Sequence, residues 1–246
     1  MRSIGFSTGA LAYADFNLAL HILENKRTKV VELSALREAE LEPLVDALDA
    51  LDLTRYSYVS FHAPSRFTNE RQTIQILNRV ADRGWPIIVH PDTIQDFSAW
   101  QSFGGLLLIE NMDKRNTAGR TARELAGIFE KLPHANLCFD LGHCRQVDPT
   151  MNESCLILRQ FGDRLKQLHV SEVNTRSTHD PLSISSVGAF LKVAEMIPEN
   201  VPAILESPVS EDEVLFEIEK ARIALQHSAT RETQNYALRV MQFAAY

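Results

Sequence analysis

The sequence predicts an α/β fold, a (β/α)₈ TIM barrel of eight parallel strands and eight helices. Short β-rich runs alternate with longer helical runs, there are eight such pairs, and the chain has 246 residues. This barrel typically fills about 250 residues as one domain. Parallel strands need crossover helices, and eight such units close into a barrel. A doubly wound open sheet is the alternative, but the Gly-x-Gly-x-x-Gly fingerprint that often accompanies it is absent after the first strand.

The predicted strands are rich in Val, Ile, Leu or Phe and apolar on both faces, as strands covered by helices are. They are residues 2–7, 29–34, 57–62, 86–90, 106–110, 136–140, 166–171 and 202–207. The predicted helices are residues 15–26, 38–51, 70–83, 93–101, 121–131, 151–163, 185–197 and 211–226. Capping-box patterns, Thr121-x-x-Glu124 and Ser210-x-x-Glu213, mark two helix starts. A ninth helix is predicted at 230–243, so we expect residues 1–246 to form a single TIM-barrel domain with an extra C-terminal helix.

Composition narrows the classes of protein to consider. The net charge is −7, so no overall field favours nucleic acid or an anionic membrane. The three cysteines, Cys138, Cys144 and Cys155, do not form a disulfide framework, and the N-terminus shows no signal-peptide core. No apolar run approaches the roughly 20 residues that span a bilayer. We therefore expect a cytoplasmic protein with a small-molecule substrate and without membrane or nucleic acid as partner; a homo-oligomer is compatible with the sequence.

Metal-capable side chains stand at the carboxyl ends of seven of the eight predicted strands, where the active sites of these barrels lie. They are Glu32, His62, His90, Glu110, Asp140, His169 and Glu206, with His143 three residues after Asp140. Side chains alternate between the two faces of a strand. If Glu110 points inward, Leu107 and Ile109 point outward against the helices, and the same phase holds at Asp140 and His169.

The number of these side chains favours a metal site. A single strand-end histidine or carboxylate is usually a satisfied surface group or a helix cap. Burying several carboxylates together without a compensating cation would be prohibitively unfavourable, so the whole set predicts a divalent metal. His21, His134 and His227 lie in helix, loop or linker context and are left out of the site. Cys138 is predicted to be a core residue below the ligands and Cys144 to be a loop thiol.

Four short motifs resemble the xylose-isomerase-like TIM barrel superfamily. This superfamily includes sugar isomerases and epimerases and the endonuclease IV group of apurinic-site nucleases (AP endonuclease family 2). The motifs are Glu110-Asn111, Asp140-Leu141-Gly142-His143, His169-Val170-Ser171-Glu172 and Leu205-Glu206. Each motif is weak alone, and their order, spacing and strand placement carry the resemblance, which extends from Ile4 to about Pro208.

The resemblance to the epimerase branch implies one metal ion and a proton-transfer reaction. The implied ligands are Glu110, Asp140, His169 and Glu206. Glu110 and Glu206 would also flank the substrate, one removing a proton next to a carbonyl and the other returning it. The metal would polarise the oxygen of the enediolate. His143 would touch the substrate.

The resemblance to the endonuclease IV branch implies three zinc ions. The first would bind His62, His90 and Glu110, and the second would share Glu110 and add Asp140, His169 and Glu206. The third would use His143 with an Asp-x-His after strand seven. Here the chain departs from the pattern, because the local string is Ser177-Thr178-His179-Asp180. His179 matches, Ser177 replaces the aspartate, and Asp180 is a candidate to substitute for it.

Three functions follow, and the sequence favours the first narrowly. The first is a divalent-metal-dependent isomerase or epimerase of a small sugar or related hydroxy-carbonyl compound. The second is a di- or trinuclear zinc hydrolase or phosphodiesterase, which His62 and His90 favour. The third is a barrel that binds a ligand without turnover. The complete four-ligand core favours an enzyme, and its donors suit zinc or manganese best, with cobalt, iron or magnesium as alternatives.

Basic residues in the βα segments suggest the charge of the substrate. They are Arg37, Arg66, Lys114, Arg115, Arg145 and Arg176. An acidic protein that gathers guanidinium groups near its metal is suited to a phosphate or carboxylate substrate. The alternative interpretation is that loops are polar and that these side chains are simply solvated.

Overall fold

The computed structural model describes residues 2–227, and eight parallel strands in it close into a barrel. The strands in these residues are β1 Ile4–Ser7, β2 Val30–Ser34, β3 Tyr58–His62, β4 Ile87–Val89, β5 Leu107–Glu110, β6 Asn136–Asp140, β7 Leu165–Val170, β8 Glu172–Val173, β9 His179–Asp180 and β10 Ala203–Leu205. Around the barrel each strand pairs with its neighbours in sequence order, and β1 closes it between β10 and β2. β8 and β9 form a separate antiparallel hairpin after β7. The predicted (β/α)₈ TIM-barrel fold is confirmed.

Helices connect the strands, and most are shorter than predicted. They are α1 Thr8–Ala12, α2 Phe16–Leu23, α3 Glu38–Ala47, α4 Glu70–Ala81, α5 Phe97–Trp100, α6 Ala122–Lys131, α7 Leu141–Val147, α8 Asn152–Phe161, α9 Ile184–Phe190 and α10 Val214–Ala224. The predicted helix 93–101 is instead a 3₁₀ turn, Pro91–Thr93, followed by the single turn of α5. Thr121 caps its helix by accepting from the Glu124 amide at 3.2 Å, but the Glu124 carboxylate accepts from the Arg120 amide instead of completing the predicted capping box. At the other predicted capping box, the Ser210 amide donates to Glu213 at 3.0 Å. The ninth helix predicted at 230–243 lies outside the described residues.

Two short helices were not predicted, because each begins directly at a strand end without a linker. α1 follows Ser7, the last residue of β1, and α7 follows Asp140, the last residue of β6. The prediction that Cys144 is a loop thiol is therefore wrong. It is buried in α7, where its sulfur accepts a hydrogen bond from Ser154 Oγ at 3.0 Å.

The two faces of the strands differ, as the alternation predicted. Leu107, Ile109 and their counterparts on other strands join the large apolar core between barrel and helices. The apolar cluster inside the barrel consists of Ile88, Leu108 and Cys138, which confirms Cys138 as a core residue. Bulky branched side chains usually fill these barrels. Here much of the interior is polar instead, and buried polar groups need hydrogen-bond partners or ions.

None of the helices within residues 2–227 combines the length and the apolar character that crossing a bilayer requires.

Candidate metal centre

Four of the predicted ligands converge at the carboxyl end of the barrel. Glu110 ends β5, Asp140 ends β6, His169 lies in β7, and Glu206 directly follows β10. One ligand atom from each lies within 4.8 Å of the others. Parallel register produces this convergence, because Asp140 stands beside His169 and the Glu206 amide donates to the Val170 carbonyl at 3.1 Å.

Unpartnered polar atoms test whether these residues fit a cation. Asp140 Oδ2, His169 Nδ1 and Glu206 Oε2 are buried and have no hydrogen-bond partner. Leaving such an atom unsatisfied costs about 1–3 kcal/mol, and more when the group is charged. Three orphaned atoms within one ligand cluster are the arrangement that a bound cation would satisfy. The residues therefore fit a divalent metal.

Glu110 faces imidazoles with both of its carboxylate oxygens. Oε2 lies 3.1 Å from His62 Nε2 and 3.4 Å from His90 Nε2. Oε1 lies 3.1 Å from His143 Nδ1 and 3.3 Å from His169 Nδ1. His62, Glu110 and His169 form a second cluster with ligand atoms within 4.8 Å of one another. Glu110 and His169 therefore belong to both clusters, and the two oxygens of Glu110 face different histidines.

The Glu110-Asn111 and Asp140-to-His143 motifs form one unit. The Asn111 side chain donates to the Asp140 carbonyl at 2.9 Å and accepts from the Asp140 amide at 2.8 Å. Asp140 Oδ1 caps α7 by accepting from the His143 amide at 2.6 Å, and His143 Nδ1 donates to the Asn111 carbonyl at 3.0 Å. A Cβ at Gly142 would stand 2.6 Å from the Ser171 carbonyl oxygen. Glycine therefore lets α7 pack close enough to β7 to bring His143 to Glu110.

His179 approaches the site from the β8–β9 hairpin. Its Nδ1 lies 2.8 Å from Ser171 Oγ and 3.7 Å from Glu206 Oε2. Its ring centroid is 5.3 Å from that of His143. Within residues 2–227 the clusters of three or more close ligand atoms are the two above, and His90, His143 and His179 belong to neither.

The residues considered for a third metal site bond elsewhere. Ser177 Oγ accepts from Gln146 Nε2 at 2.8 Å, and Asp180 Oδ2 accepts from Asn174 Nδ2 at 2.9 Å. The first contact ties the hairpin to α7, and the second lies within the hairpin itself. Of residues 177–180, Thr178 and His179 line the cavity above the metal cluster.

The pKa shifts in the cluster show which bound protons a cation would replace. Burial raises the pKa of Glu206 to about 8, with the nearby Glu110 and Asp140 adding to the effect against His169. Burial alone would lower the pKa of a histidine, but Glu110 and Glu32 raise that of His62 to about 9. Asp140 and Glu110 likewise outweigh burial and raise the pKa of His143 to about 10. Without a cation, the cluster neutralises its carboxylates by holding protons.

Sequence reasoning counted Glu32 among the metal-capable strand-end residues but assigned it to no ion, and it gave no role to Gln167. Glu32 is fully buried, with Oε2 3.0 Å from His169 Nε2, and it accepts from Gln167 Nε2 at 2.6 Å. Burial would raise the pKa of Glu32, but His169 outweighs it and holds the value below the ordinary range. Gln167 stands two residues before His169, so the strand alternation that identified the ligands could also have placed it inside the barrel.

A cavity of about 590 Å³ opens above the cluster. His62, His90, Glu110, His143, His179 and Glu206 line its floor and wall. Of the six predicted basic residues, Arg37, Arg66 and Arg115 line this cavity, as does Tyr13.

A neighbouring groove of about 810 Å³ contains Lys114, Arg145 and Arg176 and shares Arg115 with the cavity. Arg145 is already engaged there, 3.0 Å from Glu172 and 2.8 Å from Ser185 Oγ. The groove therefore offers fewer free cations than its sequence composition suggests.

Solved structures with this fold include a structure of L-ribulose 3-epimerase, with a TM-score of 0.55 at 14% identity over 100% of this chain and 94% of that one. A xylose isomerase-like TIM barrel protein from Mycobacterium smegmatis, in complex with magnesium, matches with a TM-score of 0.55 at 12% identity, over 100% of this chain and 98% of that one. A xylose isomerase domain protein from Alicyclobacillus acidocaldarius gives 0.50 at 12% identity, over 98% and 96%. No protein-family model and no curated protein matches the sequence.

Identities this low show the fold alone. The chain has the fold of the xylose-isomerase-like TIM barrels, as its motifs predicted. It carries at the carboxyl end of that barrel a buried His/Glu/Asp cluster that could hold a metal ion.

Proposed function

We propose that the protein is a divalent-metal-dependent isomerase or epimerase of a small sugar or related hydroxy-carbonyl compound. The observation that carries the proposal is the cluster of Glu110, Asp140, His169 and Glu206, whose ligand atoms lie within 4.8 Å of one another. Glu110 and Glu206 also line the 590 Å³ cavity, so the same carboxylates are accessible to a small substrate. Zinc or manganese suits these nitrogen and oxygen donors best.

The reaction would be proton transfer through an enediolate. A divalent ion, when bound, supplies positive charge that stabilises the negative oxygens of such an intermediate. One of Glu110 and Glu206 removes the proton on the carbon next to the carbonyl, and the other returns a proton. His143, held by Asn111 and the start of α7, binds a substrate hydroxyl from the cavity wall.

Three arginines support an anionic substrate. Arg37, Arg66 and Arg115 line the cavity, and the carboxylate of Glu38 beside them is used by the Thr68 and Asn69 amides. Guanidinium groups bind phosphate and carboxylate oxygens in a bidentate manner. A phosphorylated or carboxylated hydroxy-carbonyl compound is therefore the substrate class that we would test first.

A second candidate function is dinuclear hydrolysis. It is favoured by the cluster of His62, Glu110 and His169 and by the 3.4 Å approach of His90 to Glu110. In that reaction an activated water attacks a phosphodiester or similar centre, and an ion is needed near each carboxylate oxygen of Glu110. The two candidates differ in whether His62 is essential.

Solvent deuterium and two variants test the proposal on a panel of ketoses, aldoses and their phosphates. Proton abstraction next to a carbonyl incorporates deuterium at the substrate carbon, and hydrolysis does not. Glu206→Gln should retain metal but lose on the order of 10²-fold or more in kcat, as expected for a positioned acid/base. His62→Ala should be mild for isomerisation and abolish activity for dinuclear hydrolysis. A fully active Glu206→Gln variant without deuterium incorporation would refute the isomerase.

A further inference from the structure

A layer of polar side chains lies beneath the candidate metal ligands. It is formed by the buried Glu32 on β2, Ser60 on β3 and Gln167 on β7, together with the half-buried Tyr58 on β3. We propose that Glu32 is a positioning residue of the metal centre: its carboxylate accepts the Nε2–H of His169 and thereby keeps the Nδ1 lone pair of that imidazole free for the ion. The inference rests on the proposed metal function and concerns a residue that belongs to neither ligand cluster.

The two nitrogens of His169 have different surroundings. Nε2 lies 3.0 Å from Glu32 Oε2. Nδ1 has no hydrogen-bond partner and lies 3.3 Å from Glu110 Oε1 and 3.5 Å from Glu206 Oε2. A neutral imidazole carries one N–H and one lone pair, so the position of the hydrogen decides which nitrogen can bind a metal. Metal-binding histidines commonly donate their other N–H to a carboxylate, which fixes the tautomer and the ring.

This contact crosses the inside of the barrel. β2 and β7 are not neighbours in the barrel, so Glu32 reaches His169 through the interior rather than along a strand pair. Both side chains are fully buried, which leaves no water to compete for the hydrogen bond. A carboxylate in this position is expensive to bury, and its principal charged partner is a candidate metal ligand.

Gln167 competes with Glu32 for His169 Nε2 and would favour the other tautomer of the imidazole. Its Nε2 lies 2.9 Å from His169 Nε2. An amide N–H in this position would favour a lone pair on Nε2 and hydrogen on Nδ1, the tautomer that cannot bind the ion. Tyr58 Oη donates to Gln167 Oε1 at 2.8 Å and so keeps the amide nitrogen facing Glu32. Hydrogen bonds to ionised acceptors are roughly twice as strong as neutral ones, so the charge on Glu32 decides in favour of Nε2–H.

Glu32→Gln removes the charge and keeps the hydrogen-bond acceptor. The amide oxygen can occupy the position of Oε2 and accept from Gln167 and Ser60, as the carboxylate does. The two tautomers of His169 then compete, and the ion must displace a hydrogen from Nδ1 in part of the population. Substituting such a partner of a metal-binding histidine typically lowers metal affinity by roughly 10–100-fold.

Zinc alone, added to the full chain in competition with a chromogenic chelator, tests the inference without a known substrate. We expect Glu32→Gln to weaken zinc binding by roughly 10–100-fold and to shift the visible absorption of the cobalt-substituted protein. Glu217→Gln is the matched control. Glu217 is also buried and accepts from the Leu182 amide at 2.7 Å, but it lies on α10, outside the metal cluster. This control should leave zinc affinity and the cobalt spectrum unchanged.

A measurement on the wild-type protein keeps the inference testable if Glu32→Gln does not fold. In ¹⁵N-histidine NMR of the zinc-loaded chain, we expect His169 to show hydrogen on Nε2 and metal on Nδ1. Coordination through Nε2, or unchanged zinc affinity in a folded Glu32→Gln variant, would overturn the role of Glu32 alone. A wild-type protein that binds no zinc, manganese or cobalt would overturn the metal function and this inference with it.

Discussion

Tyr13 occupies a backbone conformation that normally requires glycine, and replacing it should stabilise the fold. Its dihedral angles are φ 53° and ψ −122°. Gly104 has nearly the same conformation, with φ 54° and ψ −128°. The chain therefore uses glycine at one of the two positions and a large aromatic residue, 68% exposed, at the other. Side chains in such sparsely populated regions cost about 1–3 kcal/mol each.

Tyr13→Gly should raise the free energy of unfolding by about 1 kcal/mol. Relief of strain contributes about 1–3 kcal/mol, and the greater freedom of glycine in the unfolded chain takes back about 0.5–1 kcal/mol. Removing the exposed ring of Tyr13 costs little packing energy. For a chain of this size, 1 kcal/mol corresponds to roughly 2–4 °C in Tm, which differential scanning calorimetry measures easily. Because Tyr13 lines the cavity, we also expect a higher KM once a substrate is identified.

Two further variants separate the effect of backbone strain from the effect of losing the Tyr13 ring. Tyr13→Ala removes the ring but keeps a Cβ, so its Tm should stay below that of Tyr13→Gly. Gly104→Ala is the mirror experiment, because a Cβ there meets no atom within 4 Å and adds strain without a clash. Gly104→Ala should lower the free energy of unfolding by about the difference between the Tyr13→Gly and Tyr13→Ala variants. A Tyr13→Gly protein that melts below the wild type, or a Gly104→Ala protein that melts with it, would refute the strain argument.

Three other predictions concern the metal, the Asp140 motif and nucleic acid. Zinc or manganese at a few hundred times its Kd should stabilise the protein by roughly 3–4 kcal/mol, measured as the Tm difference with and without chelator. At one fixed metal concentration, that gain should grow between pH 6.5 and 8. The raised pKa values of His62, His143 and Glu206 mean that the metal-free fold binds more protons than the unfolded chain and loses stability as pH rises, whereas the ion displaces those protons. A gain that does not change with pH would contradict this reasoning. Gly142→Ala should displace α7, because the new Cβ would stand 2.6 Å from the Ser171 carbonyl oxygen, and both Tm and metal content should fall. The control Gly127→Ala, on the open face of α6, should lower neither. With a net charge of −7, the protein should not incise duplex DNA with an abasic site at physiological salt, and efficient incision in a gel assay would favour the hydrolase instead.

The parts of the structure that follow local rules could be predicted from the sequence. The barrel follows from the alternation of apolar strands and helical stretches, and the cluster from ligand-type residues at strand ends in one inward phase. Helix α7 escaped prediction because its capping residue, Asp140, is also the last residue of β6 and a candidate metal ligand. No spacer residues separate the strand from the helix there.

The contacts that hold the ligands could not be predicted, because they depend on register across the barrel. Glu32 and His169 are separated by 137 positions in the sequence, and no local pattern states that their side chains meet. The clamp of Asn111 on the Asp140 backbone likewise depends on the alignment of β5 with β6. Alternation predicts which residues point inward, and the three-dimensional pairing decides which of them bind a metal and which orient a ligand.

The two oxygens of Glu110 connect the two candidate functions. Oε1 belongs with His169 and the four-residue cluster, whereas Oε2 faces His62 and His90. An enzyme that transfers protons needs positive charge on the Oε1 side only, and there the histidines on the other side can serve as hydrogen-bonding residues of the substrate cavity. A hydrolase needs an ion on each side, because the attacking oxygen must be activated while the leaving group is stabilised. The metal count on the Oε2 side of Glu110 therefore separates the two chemistries before any substrate is known.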